Sequence, residues 1–89
     1  MFPDSIGNCK LLHTLDLTTN QITSIPDSIG NCEKLRNLYL GNNQLTLFPS
    51  SIENCFSLRD VRLNNNQIMI IPPNIFIFQY LDVSGNPGK

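Results

Sequence analysis

The residues of this 89-residue sequence that can carry chemistry are three cysteines and one histidine. Thiolates and imidazoles bind zinc, and a cysteine beside a histidine can act as a nucleophile. Cys9, Cys32 and Cys55 are spaced by 23 residues, however, whereas zinc-binding cysteines usually come in pairs roughly two to four residues apart. His13 belongs to a different segment of the sequence pattern. We therefore predict no metal site and no cofactor, and three free thiols that stack in a buried column as small apolar side chains.

Catalysis is not predicted either. A catalytic triad needs a serine or cysteine, a histidine and a carboxylate that converge. His13 and Asp16 are close in sequence, but both occupy surface positions of a predicted strand, and the serines lie beside predicted helical turns. Gly41 and Gly85 follow strands and form no phosphate-binding loop. We predict that this chain is not an enzyme.

The spacing of the cysteines is also the period of the whole chain. A shift of 23 residues superposes apolar residues on apolar residues and asparagine on asparagine. The superposed sets are Leu12, Leu35 and Leu58; Leu15, Leu38 and Val61; Leu17, Leu40 and Leu63; Asn20, Asn43 and Asn66; Ile22, Leu45 and Ile68; Ile25, Phe48 and Ile71; Pro26, Pro49 and Pro72; and Ile29, Ile52 and Ile75. Phe78, Leu81, Val83 and Asn86 continue the pattern after a spacing three residues shorter. We predict a single domain, 1–89, with a half repeat at 1–11, repeats at 12–34, 35–57 and 58–77, and a partial repeat at 78–89.

Each repeat is predicted to form one coil of a solenoid. Apolar and polar residues alternate in Leu15-Asp16-Leu17 and its copies, which indicates a short strand with one buried face. A proline followed by Asp, Ser or Asn starts the return path of each coil, and the shortness of that path favours a single 3₁₀ turn. A single coil cannot cover its own apolar face, so the coils must stack to share a core.

The chain resembles the leucine-rich repeat family, whose pattern it repeats as L-x-x-L-x-L-x-x-N-x-I/L-x-x-I/F-P-x-x-I-x-N-C. The period and the proline resemble the subclass found in intracellular Ras-binding scaffolds and in some multidomain kinases and GTPases. The resemblance implies an α/β solenoid, a right-handed superhelix with a short parallel β-sheet on its concave side and 3₁₀ or short helical turns on its convex side. It also implies a ladder of stacked asparagines at Asn20, Asn43, Asn66 and Asn86, because an amide can both donate to and accept from the buried backbone.

The concave face, meaning the outward side of the predicted sheet, carries the candidate binding residues. One row across the coils is Thr14, Asn37, Asp60 and Tyr80, and the next is Asp16, Tyr39, Arg62 and Asp82; Arg36 and Arg59 flank the strands beside His13 and Gln79. Tyr39, Arg62 and Asp82 are predicted to form a stack and an ion pair across strands. The predicted partner-binding residues are Asp16, Asn37, Tyr39, Asp60, Arg62, Tyr80 and Asp82. The alternative is a solvated ladder that binds nothing and contributes less than about 1 kcal/mol.

A second candidate surface consists of large apolar residues outside the core columns. These are Leu47, Phe56, Ile70, Phe76 and Ile77. Clustered and exposed, such residues mark a contact surface. The alternative is that the irregular last coil tucks Phe76 or Ile77 inwards.

The composition limits the partners. Six Lys/Arg balance seven Asp/Glu without a basic cluster, so no nucleic-acid partner is predicted. The longest apolar stretch is short and contains Pro72 and Pro73, which argues against a membrane span. The odd cysteine count and the absence of an Asn-x-Ser/Thr sequon favour the cytoplasm, with an extracellular protein as the alternative.

The size of the sheet predicts a piece of a longer horseshoe. Four strands give a face about 15 Å across, which is short of the roughly 800 Å² per partner that a stable interface needs. The expected function is a protein–protein interaction module of a larger intracellular signalling or scaffold protein. The alternatives are a regulatory segment of a multidomain kinase or GTPase and a structural spacer without a ligand. Exposed strand edges at both ends predict end-to-end self-association.

Overall fold

The computed structural model describes residues 6, 8–48, 50–71 and 77–88. Four three-residue strands, β1 (Thr14–Asp16), β2 (Asn37–Tyr39), β3 (Asp60–Arg62) and β4 (Tyr80–Asp82), form one parallel sheet in chain order. Leu15 pairs with Leu38, Leu38 with Val61, and Val61 with Leu81. This is the register that the 23-residue shift and the shortened last repeat predict, so the predicted parallel sheet is confirmed.

Two 3₁₀ helices lie on the return paths, at Asp27–Asn31 and Ser50–Asn54. Pro26 precedes the first helix in an extended conformation, and its carbonyl accepts a hydrogen bond from the Ile29 amide at 3.1 Å. The two helices pack against each other. Their short length confirms the prediction of 3₁₀ turns on two of the return paths. The third return path, which begins at Pro72 and Pro73, lies outside the described residues.

The side chains that repeat with the period fill the interior between the sheet and the 3₁₀ helices. The inner coils supply fully buried side chains: Ile29, Cys32, Leu35, Leu38, Leu40, Ile52, Val61, Leu63 and Ile68 are all 0% exposed. Ile25, Phe48 and Ile71 are partly buried and pack against this core. Phe78 is also buried, which confirms that it replaces the first leucine of the last repeat.

A ladder of asparagines closes the turn after each strand. The Asn43 side-chain amide donates to the Leu17 and Leu40 carbonyls, each at 3.0 Å, and its oxygen accepts from the Ile22 amide at 3.1 Å. Asn66 and Asn86 repeat this arrangement one and two coils later. No buried side-chain nitrogen or oxygen within the described ranges lacks a hydrogen-bond partner. The predicted ladder is confirmed at Asn43, Asn66 and Asn86, whereas Asn20 is exposed and donates to Leu17 and Thr18 of its own coil.

The residue before each ladder asparagine adopts a left-handed backbone conformation. Its φ is +60° at Thr19, +58° at Asn42, +57° at Asn65 and +74° at Gly85. Asparagine and glycine tolerate this region, whereas a β-branched residue is strained there. The first repeat therefore makes the same turn as the others with a less suitable residue.

Candidate functional site

The three cysteines do not share one environment. Cys32 and Cys55 are buried, but Cys9 is exposed, so the prediction of three buried thiols is wrong at Cys9. The Cys55 thiol donates to the Ile29 carbonyl at 3.2 Å and the Cys32 thiol to the Ile6 carbonyl at 3.3 Å, each in the preceding coil. Cys9 lies beside the first coil, and β1 of that coil has a neighbouring strand on one side only within the described sheet. All three cysteines are free.

Burial makes the two inner thiols poor nucleophiles. It raises the pKa of Cys55 to about 11, with a smaller contribution from the neighbouring Cys32. Burial is also the main cause that raises the pKa of Cys32. Thiolates are the reactive form of cysteine, so neither position favours catalysis or metal binding.

In the described part of the chain, no three His, Cys, Asp or Glu side chains lie together in a way that would hold a metal ion. None of the helices in that part is long and apolar enough to cross a lipid bilayer. His13 is exposed at the start of β1.

The strands place the predicted binding residues on one face, because alternate side chains of a strand point in opposite directions. Leu38 and Val61 point into the core, while the residues on either side of them point outwards. The register sets Thr14, Asn37, Asp60 and Tyr80 side by side in one row, and Asp16, Tyr39, Arg62 and Asp82 in the next. Within the first of these rows, the Asn37 side chain donates to the Thr14 hydroxyl at 3.0 Å, which links β1 and β2.

Four of these residues form a single cluster around Arg62, which we call the Arg62 cluster: Tyr39, Asp60, Arg62 and Tyr80. The Arg62 guanidinium lies 4.8 Å from the centre of the Tyr39 ring and 5.4 Å from that of the Tyr80 ring. Its Nε and Nη2 atoms donate to the two carboxylate oxygens of Asp60, each at 3.2 Å. The hydrogen bond and the charge of Asp60 raise the pKa of Arg62. The predicted stack of Tyr39 and Arg62 is present, with a second ring, Tyr80, that the sequence did not assign to it.

The ion pair of Arg62 differs from the prediction. Arg62 pairs with Asp60 on its own strand, not with Asp82 on the neighbouring strand. The Asp82 carboxylate instead accepts hydrogen bonds from the amide and the hydroxyl of Ser84, at 3.0 and 2.6 Å. The Asp60 carboxylate, two residues earlier on β3, meets both donor atoms of the guanidinium.

Asp16, at the other edge of the sheet, resembles Asp82 in its role. Its carboxylate accepts a hydrogen bond from the Thr18 amide at 3.1 Å. The side-chain and backbone hydrogen bonds from Thr18 lower the pKa of Asp16. The structure therefore gathers Tyr39, Asp60, Arg62 and Tyr80, places Asn37 beside them, and uses Asp16 and Asp82 to close their own turns.

An open groove lies along the amino-terminal edge of the same face. It has a volume of about 400 Å³ and is lined by Arg36, Asn37, Arg59, Asp60, Gln79 and Tyr80. The sequence pattern places Arg36 and Arg59 beside the strands, but neither is among the predicted binding residues. The signal was available, because the two arginines occupy the same position of successive repeats.

The second candidate surface is exposed where it is described. Leu47, Phe56, Ile70 and Ile77 are exposed, with Phe56 reaching 89%. Ile77 therefore does not tuck into the core; Phe78 fills that place. Phe76 lies outside the described residues. Met69 and Leu11 add to the exposed apolar side chains, and no sequence signal separated them from the others.

Known protein families share the repeat over most of the chain. Family models described as leucine-rich repeat match residues 1–45 and residues 57–77. No curated protein matches the chain in sequence.

Solved structures give the same result for the fold. Fifty-five chains of known structure match. One of them, a leucine-rich repeat protein from Leptospira interrogans, superposes with a TM-score of 0.89 at 31% identity over 97% of the present chain. The match covers 23% of that protein, so the chain spans about a quarter of its length.

Proposed function

This chain belongs to the leucine-rich repeat family, and we propose that it is a protein-interaction module whose concave face contacts a protein partner. Leucine-rich repeats generally mediate protein–protein interaction and are typically non-enzymatic binding modules. The proposed contact residues are Asp16, Asn37, Tyr39, Asp60, Arg62, Tyr80 and Asp82, with the Arg62 cluster as the anchor.

The observation that carries the proposal is that the Arg62 cluster lies on an open surface and yet holds its side chains in place by contacts with one another. The Arg62 side chain is 48% exposed, yet its guanidinium is held by two rings and a two-point ion pair. Tyrosine and arginine supply much of the binding energy at protein interfaces, and a side chain that is already ordered loses less entropy on binding. A solvated ladder without a ligand needs no such order.

The cellular role is a finer part of the same proposal. We propose that the module belongs to an intracellular signalling or scaffold protein, supported by the 23-residue period and the proline that opens each return path. A regulatory segment of a kinase or GTPase would use the same face.

The test compares capture of partners by the full-length parent protein and by its variants. Tyr39→Ala/Arg62→Ala removes one ring and the central cation, and we expect partner capture to fall about tenfold or more, as for other interface hot spots. Phe56→Ala/Lys34→Ala is the matched control, because it removes one ring and one cation from exposed positions outside the sheet. Unchanged capture by Tyr39→Ala/Arg62→Ala would contradict contact through the concave face. Loss with the control alone would move the contact to the second candidate surface.

We also propose that this chain associates end to end when isolated. β1 pairs on one side only within the sheet, and Leu15 and Leu17 of the first coil are incompletely buried. An open hollow of about 500 Å³ lies beside Leu17 and Ile22 of the same coil. Light scattering should show a mass that rises with concentration. A constant monomer mass at high concentration would contradict this proposal.

A further inference from the structure

The groove beside the Arg62 cluster contains two arginines of the same charge in adjacent coils. Arg36 and Arg59 each precede a strand, and the Arg59 amide donates to the Arg36 carbonyl at 3.0 Å. The Arg36 amide in turn donates to the His13 carbonyl at 2.8 Å. Neighbouring strands are about 4.8 Å apart, so this ladder fixes the bases of the two side chains at that spacing.

Neither guanidinium is neutralised. Both arginines are exposed, and neither side chain has a hydrogen bond or an ion pair among the residues that the structure describes. Among the described residues that line the groove, only Asp60 has a carboxylate, and both of its oxygens already accept from Arg62. The groove therefore keeps two unpaired positive charges in a chain whose net charge is −1.

We propose that this groove binds the carboxylates of an acidic segment of the partner protein, an inference that rests on the proposed function of the concave face. A guanidinium presents a planar fork of donors that matches a carboxylate, and two such forks lie abreast here. An anion between them also relieves their mutual repulsion. An acidic segment suits the groove better than a single phosphoryl group, because its successive carboxylates can meet each of the two guanidinium forks separately. Arg62 then contributes both to the concave face, where it is the centre of the Arg62 cluster, and to the groove, where it neutralises Asp60.

The test measures the binding of labelled peptides to the chain by fluorescence anisotropy at low and high salt. The probes are an alternating Glu-Ser peptide, a Gln-Ser peptide without charge, and a phosphoserine peptide matched to the first in total charge. We expect the Glu-Ser peptide to bind most tightly. Arg36→Gln/Arg59→Gln should weaken this binding about tenfold, which corresponds to about 1.4 kcal/mol.

Lys10→Gln/Lys34→Gln is the matched control, because it changes the net charge equally at exposed positions away from the groove. The control should bind the Glu-Ser peptide as the wild type does. Equal weakening by both double variants would leave only general charge attraction and would overturn the site. Tighter binding of the phosphoserine peptide would overturn the assignment to carboxylates.

Capture of partners by the full-length parent separates this inference from the function on which it rests. In one outcome, Arg36→Gln/Arg59→Gln no longer binds the Glu-Ser peptide, but Tyr39→Ala/Arg62→Ala still captures every partner. The groove then binds acidic peptides, and the proposed function fails. In the opposite outcome, Tyr39→Ala/Arg62→Ala no longer captures the partner, but Arg36→Gln/Arg59→Gln still binds both the partner and the peptide. The proposed function then stands, and the assignment of the groove fails.

Discussion

The first coil and the inner coils have nearly the same sequence pattern but different surroundings. Leu17 and Leu40 occupy the same repeat position, yet Leu40 is fully buried while Leu17 is only partly buried. Asn43 binds the backbone of the preceding coil, whereas Asn20 donates only to Leu17 and Thr18 of its own coil. The repeat fixes where a side chain points, and the neighbouring coil decides how much that side chain contributes to stability.

The largest expected difference concerns the leucines. Leu40→Ala should lower the free energy of unfolding by about 2–5 kcal/mol, because it leaves a cavity between coils. Leu17→Ala should cost roughly half as much, since part of its side chain already contacts water. Urea denaturation followed by circular dichroism measures both. If Leu40→Ala does not fold, Leu40→Val against Leu17→Val gives the same ranking at about 1 kcal/mol. Equal losses at the two positions would contradict the comparison.

The asparagine ladder should show the next largest difference. Asn66→Ala leaves the buried Leu45 amide without a partner and removes one of the two hydrogen bonds to the Leu40 carbonyl, so we expect a loss of about 2 kcal/mol. Asn20→Ala should cost less than about 1 kcal/mol, because water can replace its exposed hydrogen bonds. Thermal unfolding measures both changes.

Asn66→Asp provides a control for the ladder. It preserves the acceptor for the Leu45 amide but sets a carboxylate against the Leu40 carbonyl. It should therefore destabilise the chain as well. A stable Asn66→Asp variant would mean that the donor side of the ladder contributes little.

The turn of the first coil offers a stabilising change. Thr19 adopts a φ of +60°, where Asn42 and Asn65 stand in the next two coils. Thr19→Asn removes the strain of a β-branched residue and should add about 1 kcal/mol to the free energy of unfolding. Thr23→Asn is the control, because Thr23 is exposed and has no positive φ. The same gain at both positions would show that backbone strain is not the cause.

The sequence predicted the parts of the fold that depend on the period. The strand register, the asparagine ladder, the 3₁₀ turns at Asp27 and Ser50, and the insertion of Phe78 all follow from which residues recur. Each depends on backbone geometry that every coil shares. The positive φ at Thr19 was not predicted, because the pattern shows the asparagine that follows it rather than the strained residue.

The candidate site was predicted as a set of rows but not as a set of contacts. The register brought Tyr39 and Arg62 together, while the choice of Asp60 over Asp82 depended on side-chain torsions that no period specifies. Exposure of Cys9 also escaped prediction, because equal repeat positions were taken to have equal neighbours. In both cases the local surroundings, not the repeat position, decided the outcome.

The cysteines test the same difference between the first coil and the inner coils, and they should have the smallest effect on stability. At pH 8 a thiol reagent should modify Cys9 rapidly in the folded chain, while Cys32 and Cys55 should react only as the chain unfolds. Mass spectrometry of peptides after a timed pulse of iodoacetamide identifies the modified residues. Rapid modification of Cys55 would mean that the second and third coils separate readily.

The same cysteines predict how stability depends on pH. Burial raises the pKa of Cys55 from 9.0 to about 11, so between these values the unfolded chain loses this proton before the folded chain does. The folded state then binds more protons than the unfolded state, and the free energy of unfolding falls as the pH rises from about 9 to about 11. Cys55→Ala removes this ionisation and should flatten the decline. An identical decline in wild type and Cys55→Ala would assign the pH dependence to other groups and would leave the inner thiols as packing residues alone.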